Sequence, residues 1–387
     1  MSESLELYRI ISALFMNAGL QFHDIRCQAT FLWAMTGLIL EKGVHLGQWS
    51  IRRPGFTKQA SRERCFSRWI HNSKIIVLDI YENLFKYAFR GLVGTDIYLA
   101  LDTSQLFDRF VLIQLSLIYR GRAIPVSWAV IAGKSSTIEI EKYWYVLWRA
   151  QTILFEYKRC TLLADRGFID QKLFALARDL GWHIRIRLKD TTLVYRPGKD
   201  VLKLACLLPV KGQALFLHKV WITNKFFGPV YLALAQVQTD KGIQKWAILS
   251  DEPTDMNTFL EYGLRFDIEE SFLDDKSGGF QLESSELYDG QALARLGLIM
   301  ATATLYLVST GLAVVAHGLR PLIDAHWNRG LSYFQIGWRW VTFALTNSAG
   351  LFCSLLFSPL PDPYKVTASK RSAKPAFTIL AHSTSLS

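Results

Sequence analysis

Residues 97–104 read Ile-Tyr-Leu-Ala-Leu-Asp-Thr-Ser. The first five side chains are almost wholly apolar, which is typical of a β-strand that is buried on both faces of a sheet. The run ends in Asp102, and in open α/β sheets the catalytic groups gather outside the carboxyl ends of the strands. This stretch therefore predicts a central strand with an acidic side chain at its functional end. An aspartate in this place is also a common turn former or helix N-cap.

A second apolar run ends in the same way. Residues 160–164 read Cys-Thr-Leu-Leu-Ala and lead into Asp165, which is followed by Arg-Gly-Phe. If the two strands are parallel neighbours, Asp102 and Asp165 lie side by side at one edge of the sheet. Asp165 has the same alternative interpretation as a turn former or cap, so neither aspartate indicates catalysis by itself.

The order of the predicted elements gives the fold class. The patterns predict strands at 97–101, 110–119 and 123–131, a helix at 138–155, a strand at 160–164 and a helix at 170–180. Three antiparallel strands followed by a helix, a strand and a helix are the opening elements of an RNase H-like fold. We therefore expect an α/β protein with an RNase H-like catalytic core.

A third acidic residue stands in a predicted helix farther along the chain. Tyr262, Arg265, Glu269 and Lys276 have the spacing Tyr-x2-Arg-x3-Glu-x6-Lys, and at ~100° per residue they fall within roughly 60° of one another on a helix. By chance such a spacing would occur in a chain of this length only about once in several hundred. The stripe therefore indicates an active-site face. The alternative, a surface ion pair of Arg265 with Glu269, explains two of the four residues.

This spacing resembles the defining motif of the insertion-sequence-four family of bacterial transposases. The segment Asp165-Arg166-Gly167-Phe168 is also similar to the family pattern around its second aspartate, and the resemblance covers roughly residues 99–310. It implies an Asp-Asp-Glu catalytic triad formed by Asp102, Asp165 and Glu269, with Asp102 bridging two Mg²⁺ or Mn²⁺ ions and each of the others holding one. Carboxylate oxygens are ligands that Mg²⁺ prefers, and two such ions ~3.5–4 Å apart activate a nucleophile and stabilise the leaving oxygen of a phosphodiester.

The function that this resemblance implies is cut-and-paste DNA transposition. The protein would cleave the ends of an insertion sequence and join the freed 3′-hydroxyls to target DNA, as a homodimer that synapses two element ends. Its compartment would be the bacterial cytoplasm, in association with the nucleoid and without a membrane. Two other functions stay open: a structure-selective RNase H-like nuclease without strand transfer, and a catalytically inactive DNA-binding remnant or inhibitor.

The rest of the stripe is expected to contact DNA. Arg265 has the fork geometry that binds a phosphate bidentately, whereas Lys276 would act as a point charge, and Tyr262 lies on the same stripe. Trp246 begins a segment, Trp-Ala-Ile-Leu-Ser-Asp-Glu-Pro, that is similar to a family segment whose tryptophan stacks near a flipped base. A strand tryptophan in the protein core is an equally good interpretation of Trp246.

The charge of the chain points to an acidic partner. The net charge is +11 and the isoelectric point is near 9.4, so nucleic acid is the first candidate and an anionic membrane surface the second. Residues 51–74 are densely basic, with the aromatic residues Phe56, Phe66 and Trp69 interleaved. Five arginines there are expected DNA contacts: Arg52, Arg53, Arg62, Arg64 and Arg68. The alternative is a solvated basic helix.

Cysteines and apolar segments limit the remaining classes. The five cysteines are scattered without a Cys-x2-Cys pair, which disfavours a zinc cluster and fits free thiols in a reducing cytoplasm. Residues 1–6 are acidic and polar, so no signal peptide is expected. Residues 296–316 carry no charge and are long enough to span a bilayer. We expect a helix buried against the sheet, and a membrane anchor is the competing interpretation.

The segment between Asp165 and Glu269 is far longer than one strand and one helix require. Its runs at 184–188, 214–222, 230–237 and 246–249 predict strands and hence a β-rich insertion. From residue 359 onward the composition turns to Pro, Ser, Lys and Thr, which is typical of a segment without fixed structure. The predicted organisation is a helical, basic DNA-end-binding region at 1–90, the first part of the core at 91–189, the β-rich insertion at 190–250, the second part of the core at 251–345, and a C-terminal region with a flexible basic tail at 346–387.

Overall fold

The chain begins with a set of α-helices. The computed structural model describes residues 2–134, 139–239, 242–273, 279–326, 329–363 and 377–386. Its first helices are α1 (Glu3–Asn17), α2 (Ile25–Glu41), α3 (Leu46–Arg52), α4 (Gln59–Ile70) and α5 (Val77–Phe89). Ser2 and Asp24 cap α1 and α2, because their side chains accept hydrogen bonds from backbone N–H groups of the first turn. The described part of 1–90 is thus helical.

A mixed sheet follows the helices. Its first strands are β1 (Asp96–Leu106), β2 (Phe110–Tyr119), β3 (Arg122–Ala132), β4 (Arg159–Ala164) and β5 (His183–Arg187), in the spatial order β3-β2-β1-β4-β5. The pairs β1–β2 and β2–β3 are antiparallel, whereas β1–β4 and β4–β5 are parallel. Helices α6 (Ile140–Leu154) and α7 (Gln171–Asp179) make the crossovers that parallel strands need. The carboxyl ends of β1, β4 and β5 therefore meet at one edge.

The same sheet continues into the segment predicted as an insertion. The strands there are β6 (Leu193–Tyr195), β7 (Leu202–Lys203), β8 (Gly212–Ile222), β9 (Phe227–Thr239) and β10 (Gly242–Ser250). Strands β8, β9 and β10 form an antiparallel meander, and β10 pairs antiparallel with β5. Of the runs predicted as strands in this segment, the first belongs to β5 and the other three lie within β8, β9 and β10.

Four helices stand between β10 and the C-terminal region in the described residues. They are α8 (Met256–Gly263), α9 (Phe266–Leu273), α10 (Gly290–Ala316) and α11 (Tyr333–Asn347). Helix α8 packs on β5, β9 and β10, and α9 packs on β1, β2 and β3. These two short helices therefore cover the sheet beside the edge where β1, β4 and β5 end.

Helix α10 contains the long uncharged segment. Among the described residues it is the one helix long and apolar enough to cross a membrane, and 89% of its most apolar window is buried inside the protein. It packs on α11, β3, α2 and α5. The prediction of a buried helix is confirmed, and the burial removes the reason for interpreting the segment as a membrane anchor.

Helices α10 and α11 cross at unusually short distance. A Cβ atom added at Gly337 would lie 1.8 Å from the carbonyl oxygen of Leu307, and one at Gly311 would lie 1.9 Å from that of Tyr333. The two backbones are thus in direct contact, and this contact requires glycine on both helices.

The C-terminal residues differ from the prediction of a flexible tail. Phe377–Ile379 forms β11, which pairs with the end of β9, and Ala381–Leu386 forms β12, which pairs parallel with β8. Strand β11 forms because residues 237–239 of β9 lie beyond the last residue of β9 that pairs with β8. Their backbone hydrogen-bonding groups are therefore open to another strand. Residues 364–376, where most of the predicted basic tail falls, lie outside the described residues.

Candidate active site

Asp102 and Asp165 lie at neighbouring positions on adjacent strands. The last parallel pair of β1 and β4 is Leu101 with Ala164, and each aspartate is the next residue. Strand β1 continues past Asp102 to Leu106 because β2 pairs with it over that length, whereas β4 stops at Ala164. The structure thus places both carboxylates at one edge of the sheet, next to each other.

One face of β1 carries the groups that α8 and α9 contact. Alternate residues of a strand share a face, and on this face Tyr98 bonds Glu261 of α8, Ala100 packs with Ile268 of α9, and Asp102 bonds Arg265. The two helices therefore hold their side chains against the strand that ends in the candidate site.

The motif helix is broken in two. We predicted one helix carrying Tyr262, Arg265 and Glu269, but α8 ends at Gly263 and α9 begins at Phe266. Between them the N–H groups of Arg265 and Asp267 donate to the carbonyl oxygens three residues earlier, at 3.0 and 3.1 Å, which is the tighter pattern of a 3₁₀ turn. The prediction of a continuous helix was wrong. Lys276 lies outside the described residues.

Despite the break, the three acidic residues gather around Arg265. Its Nη1 donates to Oδ2 of Asp102 at 3.1 Å, and its Nη2 donates to Oε1 of Glu269 at 2.7 Å. The hydroxyl of Tyr262 donates to Oδ1 of Asp165 at 3.4 Å. Arg265 is 5% exposed, whereas the side chains of Asp102 and Glu269 are 20% and 46% exposed, so the cluster extends from a buried guanidinium to the surface.

The electrostatics of the cluster follow from this burial. Burial raises the pKa of Asp102 above its usual range, and the positive charge of Arg265 acts in the opposite direction. Burial alone would lower the pKa of the Arg265 guanidinium, but the acidic groups around it raise that pKa overall. Burial also raises the pKa of Tyr262 to about 12. At neutral pH, Arg265 is therefore a cation and Tyr262 is a neutral hydrogen-bond donor.

Trp246 and Tyr262 do not present surfaces to a ligand. Both are fully buried, and the indole of Trp246 is sandwiched among Tyr262, Phe266 and Phe377 at ring-centroid distances of 5.0 to 5.8 Å. A buried indole offers no face to a base, so the DNA-contact prediction for Trp246 is corrected to its alternative, a core tryptophan. Tyr262 acts inside the protein, on Asp165.

Arg265 also differs from its prediction as a phosphate fork. Both of its Nη atoms are already engaged by carboxylates, and its Nε is buried without a hydrogen-bond partner. In this structure the guanidinium bridges two acidic side chains from different elements, so it presents no free fork to a phosphate.

Two of the five arginines that we expected to contact DNA in the N-terminal region are bound to other groups of the protein. Arg52 pairs with Glu41, and Arg62 donates to the carbonyl oxygens of Ser50, Gly55 and Thr57 at 2.7 to 2.8 Å. Arg62 is therefore a structural residue that holds the loop after α3.

The other three arginines of that prediction differ in exposure. Arg53 is half-buried, whereas Arg64 and Arg68 are exposed on α4. The interleaved aromatic residues divide similarly, because Phe66 and Trp69 are core residues and Phe56 is fully exposed. The basic stretch thus offers Arg64 and Arg68 to a partner, but fewer flat surfaces than we expected.

Sequence reasoning missed a buried ionic network beneath α8. Glu261 accepts hydrogen bonds from the hydroxyl of Tyr98 at 3.1 Å and from Nε of Arg185 at 2.7 Å. Arg185 is 4% exposed and also pairs with Glu252 at 3.0 Å. The signal was present in the sequence: an arginine in the middle of a predicted buried strand needs an acidic partner.

Arg187 was missed as well. It follows Ile186, which pairs with Ala164, so it stands at the same edge of the sheet as Asp165. Its guanidinium donates to Oε1 of Gln244 at 3.1 Å and to the carbonyl oxygen of Lys245 at 3.0 Å. These contacts hold a half-buried cation beside the acidic cluster.

The carboxylate oxygens of Asp102, Asp165 and Glu269 suit a divalent cation, but in this structure Arg265 bridges two of these side chains. Among the described residues, the one group of three side chains whose ligand atoms lie within 4.8 Å of one another is His183, Asp251 and Glu252. In that group Glu252 already pairs with Arg159 and Arg185, which disfavours a metal ion there. Asp102, Asp165 and Glu269 have the carboxylates that Mg²⁺ prefers, and Arg265 lies between those of Asp102 and Glu269.

Comparisons with known proteins give little further guidance. No family model matches the chain, and no curated protein sequence matches it. Among solved structures it is similar to one described as "Cryo-EM structure of piggyBac transposase synaptic complex with hairpin DNA", with 11% sequence identity and a TM-score of 0.42, over 90% of this chain and 78% of that chain.

Proposed function

We propose that this protein is an Asp-Asp-Glu DNA transposase that moves an insertion sequence by cut and paste. The observation that carries the proposal is the meeting of Asp102, Asp165 and Glu269 around one buried guanidinium. Two of these carboxylates come from adjacent parallel strands, and the third comes from a helix that packs on the same sheet. Carboxylates that lie close together repel one another, so their grouping requires a cationic partner or ligand.

The strand order supports an RNase H-like core. Three consecutive antiparallel strands, with β4 and then β5 added parallel beside the first, are the expected arrangement. Strands β6 to β10 then form the proposed β-rich insertion, ahead of the helix that carries Glu269. This topology also supports assignment to the insertion-sequence-four family, whose motif the sequence resembles.

In the proposed reaction the chain's own residues bind and orient the scissile phosphate. Bound divalent ions, Mg²⁺ or Mn²⁺, would activate the nucleophile and stabilise the leaving oxygen, and Asp102, Asp165 and Glu269 would hold them. Tyr262 orients Asp165 through its hydroxyl. Two cations stand near Asp165, namely Arg166, which follows it in the chain, and Arg187, which follows the strand partner of Ala164, and we assign both to phosphate contact.

The proposed partners are element ends and target DNA. The net charge of +11 favours a polyanion, and the exposed Arg64 and Arg68 on α4 are the proposed contacts outside the catalytic site. We further propose a homodimer that synapses two ends in the bacterial cytoplasm. Removing an exposed phosphate-contacting arginine should weaken binding for all sequences alike and lower its salt dependence.

The experiment that tests the proposal uses the full chain with Mg²⁺ and a labelled duplex that carries an element end, identified from inverted repeats in the flanking DNA. Wild type and a Glu156→Gln control, altered at an exposed glutamate, should cleave at the end. Glu269→Gln should bind DNA but lose cleavage by ~100-fold or more, since changes one step removed from a metal already cost ~10–100-fold.

The products separate the competing functions. Joined strands, formed when target DNA is added, support transposition, whereas cleavage without joining supports the structure-selective nuclease. Binding without cleavage by wild type, at a confirmed end, would overturn the catalytic proposal in favour of an inactive DNA-binding remnant.

A further inference from the structure

Arg265 occupies the centre of the acidic cluster. It is one of the least exposed arginines described, and its two Nη atoms reach carboxylates on different elements, Asp102 on β1 and Glu269 on α9. A buried charge persists only where opposite charge compensates it. In the protein without metal, the guanidinium supplies the positive charge that these carboxylates need.

We propose that Arg265 is the resident cation of this cluster, and that its guanidinium and a divalent metal ion compete for Asp102. The inference rests on the proposed function in one respect: it assumes that the carboxylates take a metal during the reaction. It goes beyond that function because it assigns a second state to the site, in which the protein's own arginine stands where the metal binds.

Competition follows from charge and from space. A doubly charged ion next to a buried guanidinium is repelled, because the low dielectric of a buried site strengthens the interaction of two positive charges. The guanidinium also lies between Asp102 and Glu269, and it donates to both at 3.1 and 2.7 Å. A metal bound by both carboxylates at the ~2.0–2.1 Å typical of Mg²⁺ requires them to approach each other, so the guanidinium must withdraw.

The local backbone fits a side chain that moves. Arg265 stands in the 3₁₀ turn between α8 and α9, so it is not locked into a regular helix. Its Nε is buried without a partner, and the guanidinium lies 5.0 Å from the ring centre of Phe266. The guanidinium is thus held mainly by polar groups, namely the two carboxylates and the neighbouring Tyr262, together with one aromatic face. A withdrawn guanidinium would have both Nη atoms free for a phosphate.

The test measures metal affinity without DNA. MnCl₂ is titrated into the full chain by calorimetry for wild type, Arg265→Gln, Arg265→Lys and the charge control Arg178→Gln, at an arginine exposed near the end of α7. Arg265→Gln should bind Mn²⁺ at least ~10-fold more tightly than wild type, and Arg178→Gln should change the affinity by less than ~3-fold. Adding Asp102→Asn to Arg265→Gln should abolish the gain, which locates the competition at Asp102.

Equal or weaker Mn²⁺ binding by Arg265→Gln, or no Mn²⁺ binding by any of these proteins, would overturn the proposal. If Arg265→Gln does not fold without metal, Arg265→Lys replaces it. Lysine keeps the charge but loses the fork of the guanidinium, so we expect it to bind Mn²⁺ more tightly than wild type by less than ~10-fold. An unchanged Mn²⁺ affinity counts against competition. DNA cleavage is scored separately. If Arg265→Gln binds Mn²⁺ more tightly than wild type but wild type does not cleave DNA, the competition is retained and transposition is rejected. If wild type cleaves DNA but Arg265→Gln binds Mn²⁺ as wild type does, transposition is retained and the competition is rejected.

Discussion

The rings of Tyr262 and Trp246 meet edge to face, with their centroids 5.1 Å apart and an interplanar angle of 84°. The motif tyrosine therefore lies where α8 packs on the β8–β10 meander, and only its hydroxyl reaches the acidic cluster. The packing of Tyr262 on Trp246 of β10 thus sets the position of the hydroxyl that bonds Asp165.

Trp246→Ala should destabilise the protein. The side chain is fully buried among aromatic rings, so its removal leaves a large cavity and should lower the free energy of unfolding by ~3–5 kcal/mol. Chemical denaturation of the full chain measures the change. The matched control is Trp148→Ala, because Trp148 is 43% exposed, and it should shift the free energy of unfolding far less. A folded, fully stable Trp246→Ala protein would show that the indole is not a core residue.

Tyr262→Phe should reduce DNA cleavage by ~10-fold, in the range for groups one step removed from a metal. Only the hydroxyl that donates to Asp165 is lost, so the melting temperature should stay close to that of wild type. Cleavage assays and thermal melts report the two effects. Tyr288→Phe, at a residue that is 68% exposed, is the control, and equal activity of both variants would remove Tyr262 from the mechanism.

Glu261→Gln should lower the free energy of unfolding by ~1.5–3 kcal/mol, because it removes one of the carboxylates that compensate the buried Arg185, the one at 2.7 Å from its Nε. Urea unfolding checks the value. Glu141→Gln removes a carboxylate that pairs with Lys172 on the surface, and its unfolding midpoint should match wild type. A Glu261→Gln protein as stable as that control would mean that Glu252 and Asp251 compensate the charge of Arg185 sufficiently.

Gly337→Ala should destabilise the contact of α10 with α11 by about 1–3 kcal/mol or more, because the added methyl group meets the Leu307 carbonyl oxygen. Gly350→Ala is the control, since a Cβ atom there has no neighbour within 4 Å. Differential scanning calorimetry compares the two. Matching melting temperatures would show that the helices separate at little cost.

Asp324 should make stability depend on acid pH. Burial alone would raise the pKa of this carboxyl, but hydrogen bonds from His326, Gly330 and Arg320 lower it below its usual range. A lowered pKa means that the folded state favours the carboxylate, so this stabilisation is present above the unfolded pKa of ~3.9 and is lost as the pH falls through the lower, folded value. Asp324→Asn should be less stable than wild type at pH 7, and the difference should shrink below about pH 4.

Unfolding curves from pH 7 to pH 3 measure this effect, with the exposed Asp200→Asn as the control. A gap between wild type and Asp324→Asn that stays constant over this range would contradict a carboxylate held by hydrogen bonds.

Local sequence patterns predicted the strands that lead to Asp102 and Asp165, because an apolar run followed by an aspartate is local information. The break between α8 and α9 could not be found in this way. A Cβ atom at Gly263 would lie 2.0 Å from the Phe377 ring, so the shape of the motif segment depends on a residue more than a hundred positions away. The burial of Trp246 and the pairing of β11 are likewise set by contacts between distant segments.

The charge network was missed for a related reason. Arg185 and Glu261 are each unremarkable in sequence, and only the packing of α8 on β5 makes them partners. Composition suggested a flexible segment after residue 359, yet residues 377–379 find an edge of β9 that the sequence does not reveal.

Hydrogen bonds run without interruption from β3 across to β8, because Ile248, Leu249 and Ser250 of β10 pair with three consecutive residues of β5. The strands that lead to Asp102 and Asp165 therefore belong to the same hydrogen-bonded sheet as the β8–β10 meander. A rearrangement of the cluster that keeps this ladder intact involves the parts that lie on the sheet, which are α8, α9 and the Arg265 side chain between them.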